Sequence, residues 1–374
     1  MLQNKIYLNY FQEIFKSLLT ILFSLTIIAW TVKAVNFLDL IVEDGYPLST
    51  YFKYSILNLF GIVPKFIPLS FLLAIFIFVL KQKQDNELII LWTSGVRKIQ
   101  LVNLFFIFSV FVTIIYLFFS TIITPYALYK SRQLLSNESF TSFLPTIKVQ
   151  QFSDSFSGIT FIVDKKKNNE IKNIFLQDNS GVLSNISNNA TKNYNTIIAS
   201  TGLVKNNNLI LFNGQIISSA KDNTDNEIMK FEQLKIDINN FSNNTIKTTK
   251  IQETSTIQLL ACLSDKYFNY VKCNNKFNKE IIPVLNRRIF LPFYILIIPL
   301  IISILLIRKK QNLFFNKMPV FFYSFTVLIY AELMIRYTGI SKLTSNLFYI
   351  SPFLLIVFFY FFLINQFSKE INKE

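Results

Sequence analysis

Six stretches of this chain are apolar for long enough to cross a bilayer. They lie near Ile14 to Val35, Leu57 to Leu80, Val102 to Ile123, Ile289 to Ile307, Val320 to Ile335 and Leu347 to Leu363. Each approaches the roughly 20 residues that a helix needs to cross a hydrocarbon core about 30 Å thick. Composition agrees, because 52% hydrophobic residues and a mean hydropathy of +0.40 argue against a soluble protein. The first run is too long for the hydrophobic part of a signal peptide and no small-residue cleavage site follows it, so it reads as a retained helix.

Orientation follows from lysine and arginine in the short loops. Lys81, Lys83, Arg97 and Lys98 fall between the second and third runs, and Arg308, Lys309, Lys310 and Lys317 between the fourth and fifth. Both loops are expected in the cytoplasm. The segment after the first run, DLIVEDGYPLSTY, carries acids and no base, which suits the opposite side. Both termini then fall inside and the long polar insert outside. The formal charge of +15 is spent largely at the ends of the spans, and no basic cluster with interleaved aromatics appears, so nucleic acid is not an expected partner.

The insert, residues 128–286, has short bursts of alternating hydrophobics between Asn, Ser, Thr and Lys, the pattern of strands. GITFIVDKKKNNEIKNIFLQDNSG reads as a hairpin, with Ile159, Phe161 and Val163 on one arm and Ile174 and Leu176 on the other. Further strands are expected at 196–199, 209–212, 215–218 and 234–238, with Gly202 and Gly214 marking turns. Several strands with no helical pattern between them suggest a sandwich or jelly roll. The segment TIQLLACLSDKYFNYVKCNNK reads as an amphipathic helix. It holds both cysteines, Cys262 and Cys273. Eleven positions apart on one straight helix they are about 16 Å apart, so they pair only if the helix breaks between them, and otherwise remain separate thiols.

Residues for catalysis are sparse. Histidine is absent, two cysteines alone make no structural zinc site, and no G-x-x-x-x-G-K-[ST] loop is present to cradle nucleotide phosphates. The chain is therefore not expected to be an enzyme, nor to bind a metal or cofactor directly.

KQKQDNELIILWTSGVRKIQ, residues 81–100, is too charged to span and too apolar for a solvated loop. Asn86 suits an N-cap, Glu87 the first turn and Gly95 the C′ position, so a short helix is expected over 87–94. Leu88, Leu91 and Trp92 then share a face at i, i+3 and i+4. Two turns are marginal alone, so that face must dock, on the membrane surface or in a soluble partner. A membrane protein with no motor of its own favours the partner.

At this point the residues carry a resemblance. IYLNYFQEIFKSLLTILFSL, FLDLIVEDGYPLS, IPLSFLLAIF, NELIILWTSGVRKIQ and RRIFLP resemble the LptF/LptG family, the permeases of the lipopolysaccharide-export ABC transporter, and the LptF branch more closely. The order of parts is similar too: three spans, an external β domain, three spans. The resemblance implies an integral α-helical membrane protein with six transmembrane helices and an inserted periplasmic jelly roll. Its parts would be 1–127 with the first three helices and a coupling helix near 86–95, 128–286 with the β domain, and 287–374 with the last three helices.

It further implies a half-transporter in the bacterial inner membrane. Its partners would be a second permease of the family, a dimeric LptB-like cytoplasmic ATPase that holds the ATP and Mg, LptC-like and LptA-like jelly-roll proteins, and lipopolysaccharide. Leu88, Leu91 and Trp92 would enter a groove of the ATPase, with Gly95 ending the helix. Glu87 matches the family's coupling glutamate, although a helix N-terminus favours an acid in any case. Lys33 matches a lysine that faces lipid phosphates, or it snorkels to the interface. Arg336 and Lys65 are further candidates for phosphate, unless Arg336 pairs with Glu332 on its own helix. A non-transporting scaffold that displays a β domain and recruits a cytoplasmic protein is the alternative class. Depletion separates the two, since loss of an exporter subunit should leave lipopolysaccharide in the inner membrane.

Overall fold

The computed structural model describes residues 2–42, 46–138, 149–156, 158–167, 170–179, 194–205, 208–219, 226–237, 250–263, 278–307 and 313–371. It divides into two compact units. One comprises Met1–Val32, Leu57–Tyr129 and Lys250–Glu374, and the other Lys33–Ile56 and Lys130–Thr249.

The first unit is helical. Its elements are α1 (Leu2–Asn36, whose end lies in the other unit), α4 (Val63–Gln84), α5 (Glu87–Thr93), α6 (Lys98–Phe118), α8 (Thr256–Leu263), α9 (Asn278–Ile289), α10 (Ile297–Ile302), α11 (Leu313–Tyr337) and α12 (Lys342–Ile371). Six helical stretches have the length and apolarity to cross a membrane: Lys5–Val42, Val63–Gln84, Lys98–Leu135, Glu280–Leu306, Met318–Tyr337 and Leu343–Glu370. All six sequence runs are there. The second differs at its start, since α3 (Leu48–Leu59) ends and α4 begins separately at Val63. Pro64 occupies the first turn, where its missing N–H costs nothing.

Burial separates the spans. The most apolar window of the fourth is 72% buried and those of the first and sixth 17%, so the fourth forms the centre and the outer two present most of their surface to lipid or partners. The fourth earns that position by irregularity: 3-10 turns at Leu291–Leu296 and Ser303–Leu306 flank α10, and Tyr294, Ile297, Ile298 and Ile302 are fully buried. After α6, the π turn Phe119–Ile123 leads into α7 (Thr124–Glu138). The Thr121 carbonyl accepts from the Thr256 hydroxyl at 2.9 Å, and the buried Arg288 donates to Thr256 Oγ1 at 3.1 Å, Thr254 O at 3.0 Å and Gln252 O at 2.8 Å. One guanidinium thus fastens 252–256 to the fourth span. Cys262 is disulfide-bonded. The chain's only other cysteine, Cys273, and the rest of the expected helix beyond Leu263 lie outside the described residues.

The second unit contains α2 (Asp39–Val42), most of α3 and a six-stranded antiparallel sheet in the order β1-β2-β3-β4-β5-β6. The strands are β1 (Ser153–Phe156), β2 (Ile159–Lys167), β3 (Glu170–Asp178), β4 (Tyr194–Lys205), β5 (Asn208–Ser219) and β6 (Asn226–Asp237). Its core holds Phe161, Val163, Ile171, Ile174, Leu176, Ile197, Leu209, Leu211 and Ile236, all from strands. One antiparallel six-stranded sheet with its own buried apolar core is consistent with the expected jelly-roll domain.

The glycines are a correction. Gly202 and Gly214 lie inside strands, not at turns. A Cβ on Gly202 would come within 2.5 Å of the Ile174 side chain, and one on Gly214 within 2.5 Å of the Phe231 ring. Close packing therefore needs glycine there, and the two short strands expected at 209–212 and 215–218 are one. The alternation slips by one residue in that region. Pairing skips Asp164, Asn173, Ser200, Asn213 and Glu232, one residue in each of β2 to β6 and each opposite the next. Asn173 and Asn213 take left-handed backbone, φ 53° and 51°, which asparagine tolerates better than a branched residue. This line of unpaired positions crosses the sheet without changing the register, and the inward-facing set of residues shifts by one across it, so both halves of the strands turn apolar side chains to the core.

Candidate functional site

Helix α5 leaves α4 through Asp85 and Asn86. Asn86 has φ 57° and its side chain makes no capping bond. The expected N-cap therefore sits at the expected position, but acts as a left-handed kink whose carbonyl accepts from Ile89 N at 3.0 Å. At the other end Gly95 has φ 88°. Gly95 N donates to Trp92 O at 3.1 Å and Val96 N to Leu91 O at 3.3 Å, the paired bonds of a Schellman cap. Leu91 and Val96, the hydrophobic pair that accompanies this cap, are both buried. The helix is closed at both ends by local geometry.

Its two faces differ from the expectation. Leu88, Leu91 and Trp92 do share a face, but Leu88 and Leu91 are 3% and 5% exposed and belong to the core of the chain's own helical unit, with Trp92 packed against it. In this structure that face is covered by the chain's own helices. The free face is the opposite one: Ile89 and Ile90 are 54% and 66% exposed, beside exposed Glu87, Thr93 and Ser94. Sequence reading missed the two isoleucines because it looked for one apolar stripe. The signal was available, since a short helix that is apolar all round must cover two faces.

Side-chain contacts stiffen this end of the helical unit. Tyr10 Oη donates to Gln82 Oε1 at 3.2 Å, Lys81 pairs with Glu13 at 2.8 Å, and Lys83 Nζ donates to the Leu305 carbonyl at 3.2 Å. Lys98 pairs with Glu370 of α12 and lies 4.8 Å from the centroid of the Trp92 ring.

The candidate phosphate ligands fall in different units. Lys33 is exposed in the last turn of α1, within the second unit. Lys65 is exposed in the first turn of α4 and Arg336 in the last turn of α11, both in the helical unit. Glu332 does not pair with Arg336 as the sequence allowed. It pairs with Arg287 at 2.6 Å, joining α11 to α9. Next to it Tyr349 Oη donates to the buried Asn286 at 3.1 Å.

The profile of the family described as "Lipopolysaccharide export system permease LptF/LptG" matches residues 9–366. The chain belongs to this family. It is also 24% identical over 330 residues, 86% of its own length and 88% of the relative's, to "Uncharacterized protein RP871" of Rickettsia prowazekii (strain Madrid E). The family match takes in LptF and LptG alike. It makes the chain a multi-pass inner-membrane permease of lipopolysaccharide export, a transporter component and not itself an enzyme.

Proposed function

We propose that this LptF/LptG permease is one half of an ATP-driven exporter. It extracts lipopolysaccharide from the outer leaflet of the inner membrane and passes it through its β domain toward LptC-like and LptA-like jelly-roll proteins. A second permease of the family completes the membrane part, and a dimeric LptB-like ATPase supplies the energy, holding ATP and Mg. The LptF branch is preferred on the residues that carry the resemblance.

The observation that carries this reading is the double-sided α5. One face anchors it rigidly in the helical unit, and the other offers Ile89 and Ile90 with Glu87 at the margin. A motor's closure reaches the spans only through a contact that does not yield. An inward-anchored helix with an apolar outer face has that character, and it revises the docking residues from Leu88, Leu91 and Trp92 to Ile89 and Ile90, with Glu87 and Gly95 keeping their roles.

The α5 end is cytoplasmic in this reading, as are both termini, on the strength of Lys81, Lys83, Arg97 and Lys98. A disulfide at Cys262 suits a periplasmic β-domain side, where thiols oxidise. Lys33, Lys65 and Arg336 are assigned to lipid phosphates, for which cations at the outer membrane surface are apt.

Affinity purification from detergent tests the reading. The wild type should retain a stoichiometric ATPase, and Ile89→Asp with Ile90→Asp should lose it while the permease stays monodisperse. A wild type that brings down no ATPase defeats the proposal.

A further inference from the structure

We infer that the last turn of α12 is a brace for the coupling helix, through Lys98 and Glu370. Lys98 opens α6, immediately after the turn that closes α5. Its ammonium lies 4.8 Å from the centroid of the Trp92 ring and 5.9 Å from that of Phe367, and it forms an ion pair with Glu370. Trp92 belongs to α5, while Phe367 and Glu370 belong to the end of α12, so one cation joins two elements far apart in sequence.

Three observations make this more than a surface ion pair. Both side chains are largely sheltered, 20% and 24% exposed, which reduces screening by salt. Each charge also sits at the unfavourable end of its own helix, a cation at the N-terminus of α6 and an anion in the last turn of α12. The helix dipole disfavours both, and pairing offsets both at once. Finally, the Trp92 indole N–H is buried and has no hydrogen-bond acceptor among the described residues, so packing and the Lys98 cation hold the ring.

The rest of α12 is suited to bracing. Tyr294 Oη donates to the Phe348 carbonyl at 3.0 Å and lies 2.6 Å from Ser351 Oγ, which ties the helix to the central fourth span. Phe367 is buried in the same core as Leu88 and Leu91. The brace meets α5 at Trp92, on the face opposite Ile89 and Ile90. It therefore sets the pose of the coupling helix without touching the docking face. Lys98 and Glu370 are positioning residues. Their role in export rests on the proposal that α5 meets the ATPase, whereas the bracing itself does not.

The test has two parts. A spin label on Thr93→Cys, with the native Cys262 disulfide-bonded, reports the mobility of α5 in the purified full-length permease. Lys98→Glu and Glu370→Lys should each sharpen the label's spectrum, while Lys98→Arg and the Lys98→Glu/Glu370→Lys exchange should return it toward wild type. An unchanged spectrum in both single variants overturns the brace, whatever binds α5. In the reconstituted exporter with Mg-ATP, the single variants should keep the ATPase bound and the KM for ATP unchanged. Lipopolysaccharide extracted per ATP should fall about tenfold, of the order expected when a sheltered cation contact and ion pair are lost. Extraction per ATP equal to wild type overturns the role in coupling. A wild type that binds no ATPase overturns the proposed function and that role together, while the spin-label result still decides the brace.

Discussion

The sheet and the helical bundle hide their apolar surface by different rules. In β2 to β6 the fully buried apolar residues, such as Phe161, Ile174 and Leu211, fall on one face of the sheet, while the other carries polar residues together with exposed Ile198, Leu203 and Ile228. In the spans apolar residues surround the whole helix: Phe71, Phe105 and Ile298 are buried, while Phe118, Phe358 and Phe361 are exposed. In a strand, alternation sends every second side chain to the core. Lipid is as apolar as a protein core, so a span can present phenylalanine on either side. The lesson is that facing is written in the strands and withheld in the spans.

The strongest way to break that comparison is to remove one large aromatic from each region. Phe161→Ala should destabilise the sheet by about 3–5 kcal/mol, because its site is closed on all sides, and protease digestion of the full-length protein in detergent should show accelerated cleavage within 150–240. Phe358→Ala, on an exposed face of α12, should leave the same digestion unchanged.

A charged group buried at a helix surface comes next. Arg288→Ala removes three hydrogen bonds and leaves the carbonyls of Gln252 and Thr254 without their donor. A loss of about 3 kcal/mol is expected, seen as a new cleavage site near 250–256 with the spans intact. Arg288→Lys should restore little, since one ammonium cannot reproduce the planar fork.

Within α5 the comparison sharpens to a single turn. Leu88→Ala should cost about 2–3 kcal/mol of thermal stability as an ordinary core truncation. Ile90→Ala should change stability by less than about 0.5 kcal/mol, while lowering the yield of co-purified ATPase. Equal stability losses would mean that both faces are core.

The smallest effect concerns pH. Gln150 and Asn173 donate to the Asp164 carboxylate at 3.1 and 3.2 Å, and these bonds hold its pKa below the usual carboxylate range. A depressed folded value means that the contribution is present above the unfolded pKa, about 3.9, and is lost as pH falls through the folded one. Asp164→Asn should therefore unfold slightly earlier than wild type at pH 7, with the difference narrowing below about pH 4, by circular dichroism in a pH series.

Much of the architecture was legible. Lengths of apolar runs located six spans, since a bilayer demands about 30 Å of helix wherever the chain goes next. Alternation located the hairpin of β2 and β3, whose pairing of Phe161 with Leu176 and Val163 with Ile174 follows from it. The short helix at 87–93 and its Gly95 cap were equally visible, because capping is a property of neighbouring residues. Gly202 and Gly214 were misread because glycine serves both turns and close approaches, and only the Ile174 and Phe231 side chains that pack on them show which.

The sequence by itself determined which segments enter the membrane, that strands make up the insert, and where a two-turn helix must interrupt the loop. Those follow from local periodicity and from the solvent each segment must meet. The tertiary structure decided which way things face: that Leu88 and Leu91 turn inward and Ile89 and Ile90 outward, that Glu332 takes Arg287 instead of Arg336, and that Lys98 reaches Glu370 at the far end of the chain. Each is a choice between partners of equal local merit, and packing settles it by filling space and pairing charge among segments that are distant in the sequence, 45 residues apart for Arg287 and Glu332 and 272 for Lys98 and Glu370.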